Sequence, residues 1–237
     1  MIGTLALTDF AWYSLLSSHP EIQEVNFWRP SAHRRFIAPE FSPFLFKLHS
    51  PHNAVCGFGF FASYSALPIW LAWEVFGQGN GCSSLSEMEQ RLATIRQRIR
   101  YEDGPESSYI GCTLLVEPVF FPRELWVTQP KDWRIRTQSD KKYDLEMGEG
   151  RRVWDDCLAA ARDVPRPNRE VIPSRVTAET SLRYGPATLV RPRLGQKTFR
   201  IAVTDAYGRS CAVRSLSTFL RRAASTTTEP PALSRAG

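Results

Sequence analysis

Apolar residues change their spacing several times along the first 162 positions, and each change marks an element. Thr8 or Asp9 opens a short helix over residues 8–18, with Phe10, Trp12, Leu15 and Leu16 as its apolar content. NFWRPSAHRRF (26–36) has no clear period and reads as a loop that mixes aromatic and basic side chains. The dense apolar runs FLFKLHS (44–50) and AVCGFGFF (54–61) flank the turn HSPHN and predict a hairpin. Gly57 and Gly59 inside the second run predict a bulge or a close backbone approach. Met88, Leu92, Ile95 and Ile99 recur at helical spacing in SLSEMEQRLATIRQRIR, where Ser86 and Glu89 form a capping-box pattern. IGCTLLVEPVFF (110–121) is a long strand-like run that Pro118 should divide, and EGRRVWDDCLAAA (149–161) is a further helix.

The period is lost in VPRPNREVIPSRVTAET, which has the composition of a linker. The expected organisation is an α+β domain over 1–162, a linker over 163–190, a short helix within 191–213 and a disordered tail over 214–237. In that short helix Phe199, Ala202, Val203, Ala206 and Tyr207 share a face, and Gly208 stands where a helix would stop. Strands closed by helices at the edges make a small mixed β-barrel with flanking helices the expected form of the first domain.

Composition narrows the function. The 237 residues are enough to bury a substantial core, and no run approaches the ~20 apolar residues of a membrane span. The N-terminus has no basic n-region and contains Asp9, so no signal peptide is expected. Five scattered cysteines without a C-x-x-C pair suggest neither a disulfide framework nor a zinc knuckle. A cytoplasmic protein is expected, with no membrane partner.

The net charge of +6 is uneven. From Arg191 onward nine Lys/Arg face two acidic residues, a net of +7, which leaves about −1 for residues 1–190. A polyanion is therefore to be sought first at the C-terminal quarter, where Arg191, Arg193, Lys197 and Arg200 crowd the start of the short helix. A solvated basic tail is the plainer alternative.

Within the first domain, DNA-contacting candidates are Asn26, Trp28, Arg29, Arg34 and Arg35, a set that pairs an aromatic surface with basic side chains and an amide. LPIWLAWEVFGQGNG offers Trp70, Trp73, Gln78 and Asn80, but Trp70, Trp73 and Phe76 at intervals of three read first as core. GQGNG lacks the context of a phosphate loop and reads as a turn. Glu117, Glu124, Asp155 and Asp156 make no catalytic carboxylate pattern, and Cys56 with His52 has no third partner, so all read as structural.

The series Arg191, Gly195, Gln196, Phe199, Arg200, Val203, Tyr207, Cys211 and Val213 resembles the lead-in to the nuclease module of bacterial HNH restriction-type endonucleases. LALTDFAWYSLL, NFWRP, FLFKL, CGFGFF, FGQGNG, IGCTLLVEPVFF and YDLEMGEGRRVW are similar to the N-terminal region of one such family. The resemblance implies DNA as partner, a divalent metal such as magnesium in the intact family, and a histidine general base beyond Cys211. Here Arg214 and Ser215 follow Val213, and all four histidines precede residue 53. The expectation is a DNA-binding remnant with no catalytic residue, no metal ligand and no cofactor of its own. An active endonuclease and a protein-interaction domain are the alternatives, and a homodimer is left open. FLFKL followed by CGFGFF is also similar to the small PUA-like barrels, which include readers of modified bases.

Overall fold

The computed structural model describes residues 1–33, 35–101, 108–134 and 140–164. Its strands are β1 (Ile2–Thr8), β2 (Glu24–Arg29), β3 (Pro43–Leu48), β4 (Ala54–Pro68), β5 (Tyr109–Phe120), β6 (Val127–Thr128) and β7 (Lys141–Asp144). The helices are α1 (Phe10–Ser17), α2 (Ile69–Phe76), α3 (Leu85–Arg98) and α4 (Gly148–Asp163), and a 3-10 turn, Gly77–Asn80, follows α2. The fold is mixed α+β. All seven strands join one sheet in the order β2-β5-β4-β3-β1-β7, with β6 on a separate stretch of β4. β1 runs parallel to β3, and the other pairings are antiparallel.

The sheet is rolled. Six strands at about 4.8 Å each would hold the edges β2 and β7 some ~24 Å apart in a flat sheet. Instead Arg29, the last residue of β2, pairs with Asp140, the residue before β7. Lys142 Nζ on β7 also donates to the Ile37 carbonyl at 3.4 Å. Backbone hydrogen bonds do not close the sheet, and the Arg29–Asp140 pair ties its two edges together.

Alternation along the strands sorts side chains to two layers. Ala6, Val25, Phe44, Phe46, Leu48, Phe61 and Leu115 pack with Trp12, Tyr13 and Leu16 of α1. Leu5, Leu45, Phe58, Phe60, Leu114 and Val116 pack on the other face with Val75 and Phe76 of α2, Met88 and Leu92 of α3, and Val153, Trp154 and Cys157 of α4. With both faces covered, β3 and β4 read as continuous apolar runs, which is why they were legible without alternation.

Several expectations need correction. NFWR is not loop: it forms most of β2, paired with Leu114 to Gly111 of β5. Pro118 does not divide β5, because Glu117 and Pro118 fall where the pairing with β4 slips between Phe58/Val119 and Phe60/Val116. A bulge tolerates a residue without an N–H. The cap of α3 is Ser84 rather than Ser86: its side chain accepts from the Glu87 amide at 3.1 Å, while Glu87 accepts from the Ser83 amide at 2.7 Å. The predicted turn HSPHN does join β3 to β4, and Gly57 supplies the expected close approach, since a Cβ there would lie 2.2 Å from the Val119 carbonyl oxygen. The linker, the 191–213 helix and the tail lie outside the described residues. No helix among the described residues is long and apolar enough to cross a membrane.

Candidate nucleic-acid interface

The structure separates the predicted site residues. Asn26 is fully buried, and its Nδ2 donates to Asn80 Oδ1 at 2.9 Å. Asn80 Nδ2 in turn donates to the carbonyls of Ala72 at 3.1 Å and Gly77 at 2.8 Å. Trp28 Nε1 donates to the Asn80 carbonyl at 3.0 Å, and Trp12 Nε1 to that of Asn26 at 3.2 Å. These side chains pin the 77–81 turn to β2, so their polar groups serve the fold. Trp70 and Trp73 are half-buried on α2, and Trp73 packs on the core as its spacing indicated.

Arg29 and Arg35 have a different setting. The Arg29 guanidinium, held by Asp140, lies 5.6 Å over the Phe36 ring, and burial draws its pKa down. Arg35 is exposed, and both arginines act on Tyr64, whose phenol burial pushes up. Arg34, Arg191, Arg193, Lys197 and Arg200 lie outside the described residues.

β7 also borders a feature the sequence reading missed. Lys131, Asp132, Trp133, Arg134 and Lys141 line a cleft of about 570 Å³. The segment that lines it is anchored on α4: Arg152 binds Glu149 at 2.9 Å and donates to the Gln129 carbonyl at 3.2 Å, while Glu149 accepts from the Lys131 amide at 2.7 Å. The Trp133 amide closes the turn onto the Pro130 carbonyl at 3.0 Å. Asp132 pairs with Lys141 and accepts from the Tyr143 hydroxyl at 3.0 Å; these bonds, the lysine's first, hold its carboxyl below the usual range. Lys141 Nζ stands 4.6 Å over the Tyr143 ring. Neither Lys131 nor Arg134 forms an ion pair among the described residues. The cleft thus carries three cations and one carboxylate around a tryptophan.

Behind Trp133 lies Lys47 of β3, 2 % exposed. Its ammonium donates to Asn53 Oδ1 at 3.2 Å and sits 5.2 Å from the Trp133 ring centre. No carboxylate pairs with it among the described residues, and burial lowers its pKa. The interleaved QPKDWRIR was the available signal for the cleft, and nothing in FLFKL marked its lysine as buried. Among the described residues no group of three or more His, Cys, Asp or Glu could hold a metal ion.

No family model matches the chain, and no curated protein matches it. Among solved structures it is similar to an ASCH protein from Zymomonas mobilis, with 14% identity and a TM-score of 0.43 over 64% of this chain and 94% of that one. A single-substitution variant of the same protein aligns at a TM-score of 0.40, again with 14% identity, over 64% of this chain and 96% of that one. These findings correct the resemblance to HNH endonucleases: the solved structures that align include ASCH proteins, and no family model or curated protein supports a nuclease origin. At this similarity any functional argument rests on the residues themselves.

Proposed function

We propose that the chain is a nucleic-acid-binding module, with DNA as its ligand, and that the cleft at β7 holds the phosphate backbone. The observation that carries the reading is the cleft's composition: Lys131, Arg134 and Lys141 around Trp133, with one carboxylate already paired. Guanidinium and ammonium groups bind phosphates by charge, and each contact releases condensed counterions. Arg29, tied to Asp140 beside β7, and the exposed Arg35 are further candidate contacts. Arg191, Arg193, Lys197 and Arg200 would add a second backbone contact. The rolled sheet accords with the PUA-like barrel expected from the sequence, in which case a base drawn out of the stack is the element read.

Titrating the full chain with single-stranded and duplex DNA, modified and unmodified, at two salt concentrations tests this. Binding should weaken steeply with salt, by roughly 10-fold or more between 50 and 200 mM for a few phosphate contacts. Salt-insensitive binding, or none, would refute it, and the stoichiometry would decide whether a homodimer binds. One observation favours a protein partner instead: Phe10 is 46 % exposed and stacks on His52 at 4.6 Å beside Trp126. A chain indifferent to DNA would turn attention to that surface.

A further inference from the structure

We propose that Lys47 is the cleft's internal anion reader, an ammonium that binds a phosphate oxygen of the ligand once the Trp133 ring gives way. The inference rests on the nucleic-acid reading above and names the group that would select the ligand within it. An ammonium has three N–H donors. Here one is used by Asn53 Oδ1, and the charge otherwise faces the Trp133 ring, a weak partner for a cation out of water. A buried charge without a counter-charge destabilises the fold, and Leu or Met would fill the same apolar layer without that penalty. The neighbours on β3, Leu45 and Phe46, show what the layers on either side accept.

The position adds to the argument. Lys47 Nζ stands 5.2 Å from the centre of the ring that also lines the cleft, so displacement of that one ring would connect the two. Residue 129 follows the Ala54–Thr128 pair and so runs beside Asn53; its side-chain Oε1 is buried without a hydrogen-bond partner. Lys47 and Gln129 are thus two under-partnered buried polar groups, one a donor and one an acceptor. A phosphate oxygen suits the donor: a charge-assisted bond to it is stronger than the ring contact it replaces.

The experiment uses the full chain as wild type, Lys47→Met, Lys47→Arg and the triple variant Lys131→Ala/Arg134→Ala/Lys141→Ala. Each is measured for affinity to a fluorescent single-stranded oligonucleotide and for thermal midpoint, with and without inorganic phosphate. The expected result is that Lys47→Met loses at least ~10-fold in affinity while its midpoint stays level or rises. A ligand-reading charge is removed without loss of packing, whereas a lysine that only props Trp133 would lower the midpoint on removal. Phosphate should raise the wild-type midpoint and leave that of Lys47→Met unmoved. Wild-type affinity in Lys47→Met, with binding lost in the triple variant, overturns the role of Lys47 and leaves the cleft reading standing. If the wild type binds no oligonucleotide, the cleft reading fails, and the phosphate shift alone decides Lys47: no shift, or an equal shift in Lys47→Met, overturns it.

Discussion

Two polar clusters are buried on the same outer layer of the sheet, and they are finished differently. Around Asn80 the amide and indole donors are met: its own Nδ2 meets the Ala72 and Gly77 carbonyls, and Asn26 and Trp28 donate to it, with Asn26 Oδ1 the one acceptor of these side chains left without a partner among the described residues. Around Lys47 a full charge has one amide oxygen and the face of a ring. A neutral network whose donors are met adds stability and specifies a turn. A charge left half-coordinated beside an open cleft destabilises the fold, and a ligand is the physical reason for it to persist. The comparison teaches that the aromatic and amide residues most suggestive in the sequence are architecture, whereas an inconspicuous lysine in a hydrophobic strand borders the site.

The largest effect that would sharpen this contrast is expected at Asn80. Asn80→Ala removes one acceptor and two donated bonds from a buried turn, so a loss of about 3–5 kcal/mol is expected, seen as a fall of roughly 10 °C in thermal midpoint. Any DNA affinity that survives at low temperature should be unchanged. Next comes Gly81→Ala. Gly81 has φ +69°, and a Cβ would lie 2.1 Å from the Trp12 ring. The strained backbone and the displaced indole should together cost about 2–4 kcal/mol, again without a specific effect on binding. A midpoint within ~1 °C of wild type in either variant would break the claim that this cluster is structural.

The triple variant at Lys131, Arg134 and Lys141 should behave in the opposite way. Its affinity for DNA should fall by about 10- to 100-fold and its salt slope should flatten, with the midpoint within a few degrees of wild type. The smallest effect is one of pH. The Glu149 carboxyl is held down at about 2, first by the Arg152 hydrogen bond and then by the Lys131 amide. A depressed acid stabilises the fold above its unfolded value of 4.5 and loses that contribution as pH falls toward about 2. The exposed clamp should therefore weaken between those values, and Glu149→Gln should flatten that part of the acid-unfolding curve.

Much of the fold was legible because helices and buried hairpins advertise themselves locally. The β3–β4 hairpin, α3 and α4 followed from apolar spacing. β2 escaped because its outward positions are Asn26 and Trp28, which look like loop or site residues until Asn80, 54 positions away, supplies their partner. The capping serine was misplaced because S-x-x-E occurs twice in register, at Ser84 and at Ser86, and only the chain's entry to α3 selects between them. Arg29 reads from the sequence as a DNA-contact candidate, but its tie to Asp140 spans 111 positions and no local pattern announces it. The cleft itself joins β7 to residues 131–134, so it exists only once these separate segments have been brought together by the fold.

Photocrosslinking the full chain to a single-stranded oligonucleotide, followed by peptide mapping, tests the central claim most directly. Crosslinks concentrated on residues 131–134 and 141–143, and lost in the triple variant, are the predicted result. Crosslinks confined to the basic segment after Arg191, with residues 131–143 untouched, would contradict the assignment of the cleft as the nucleic-acid interface.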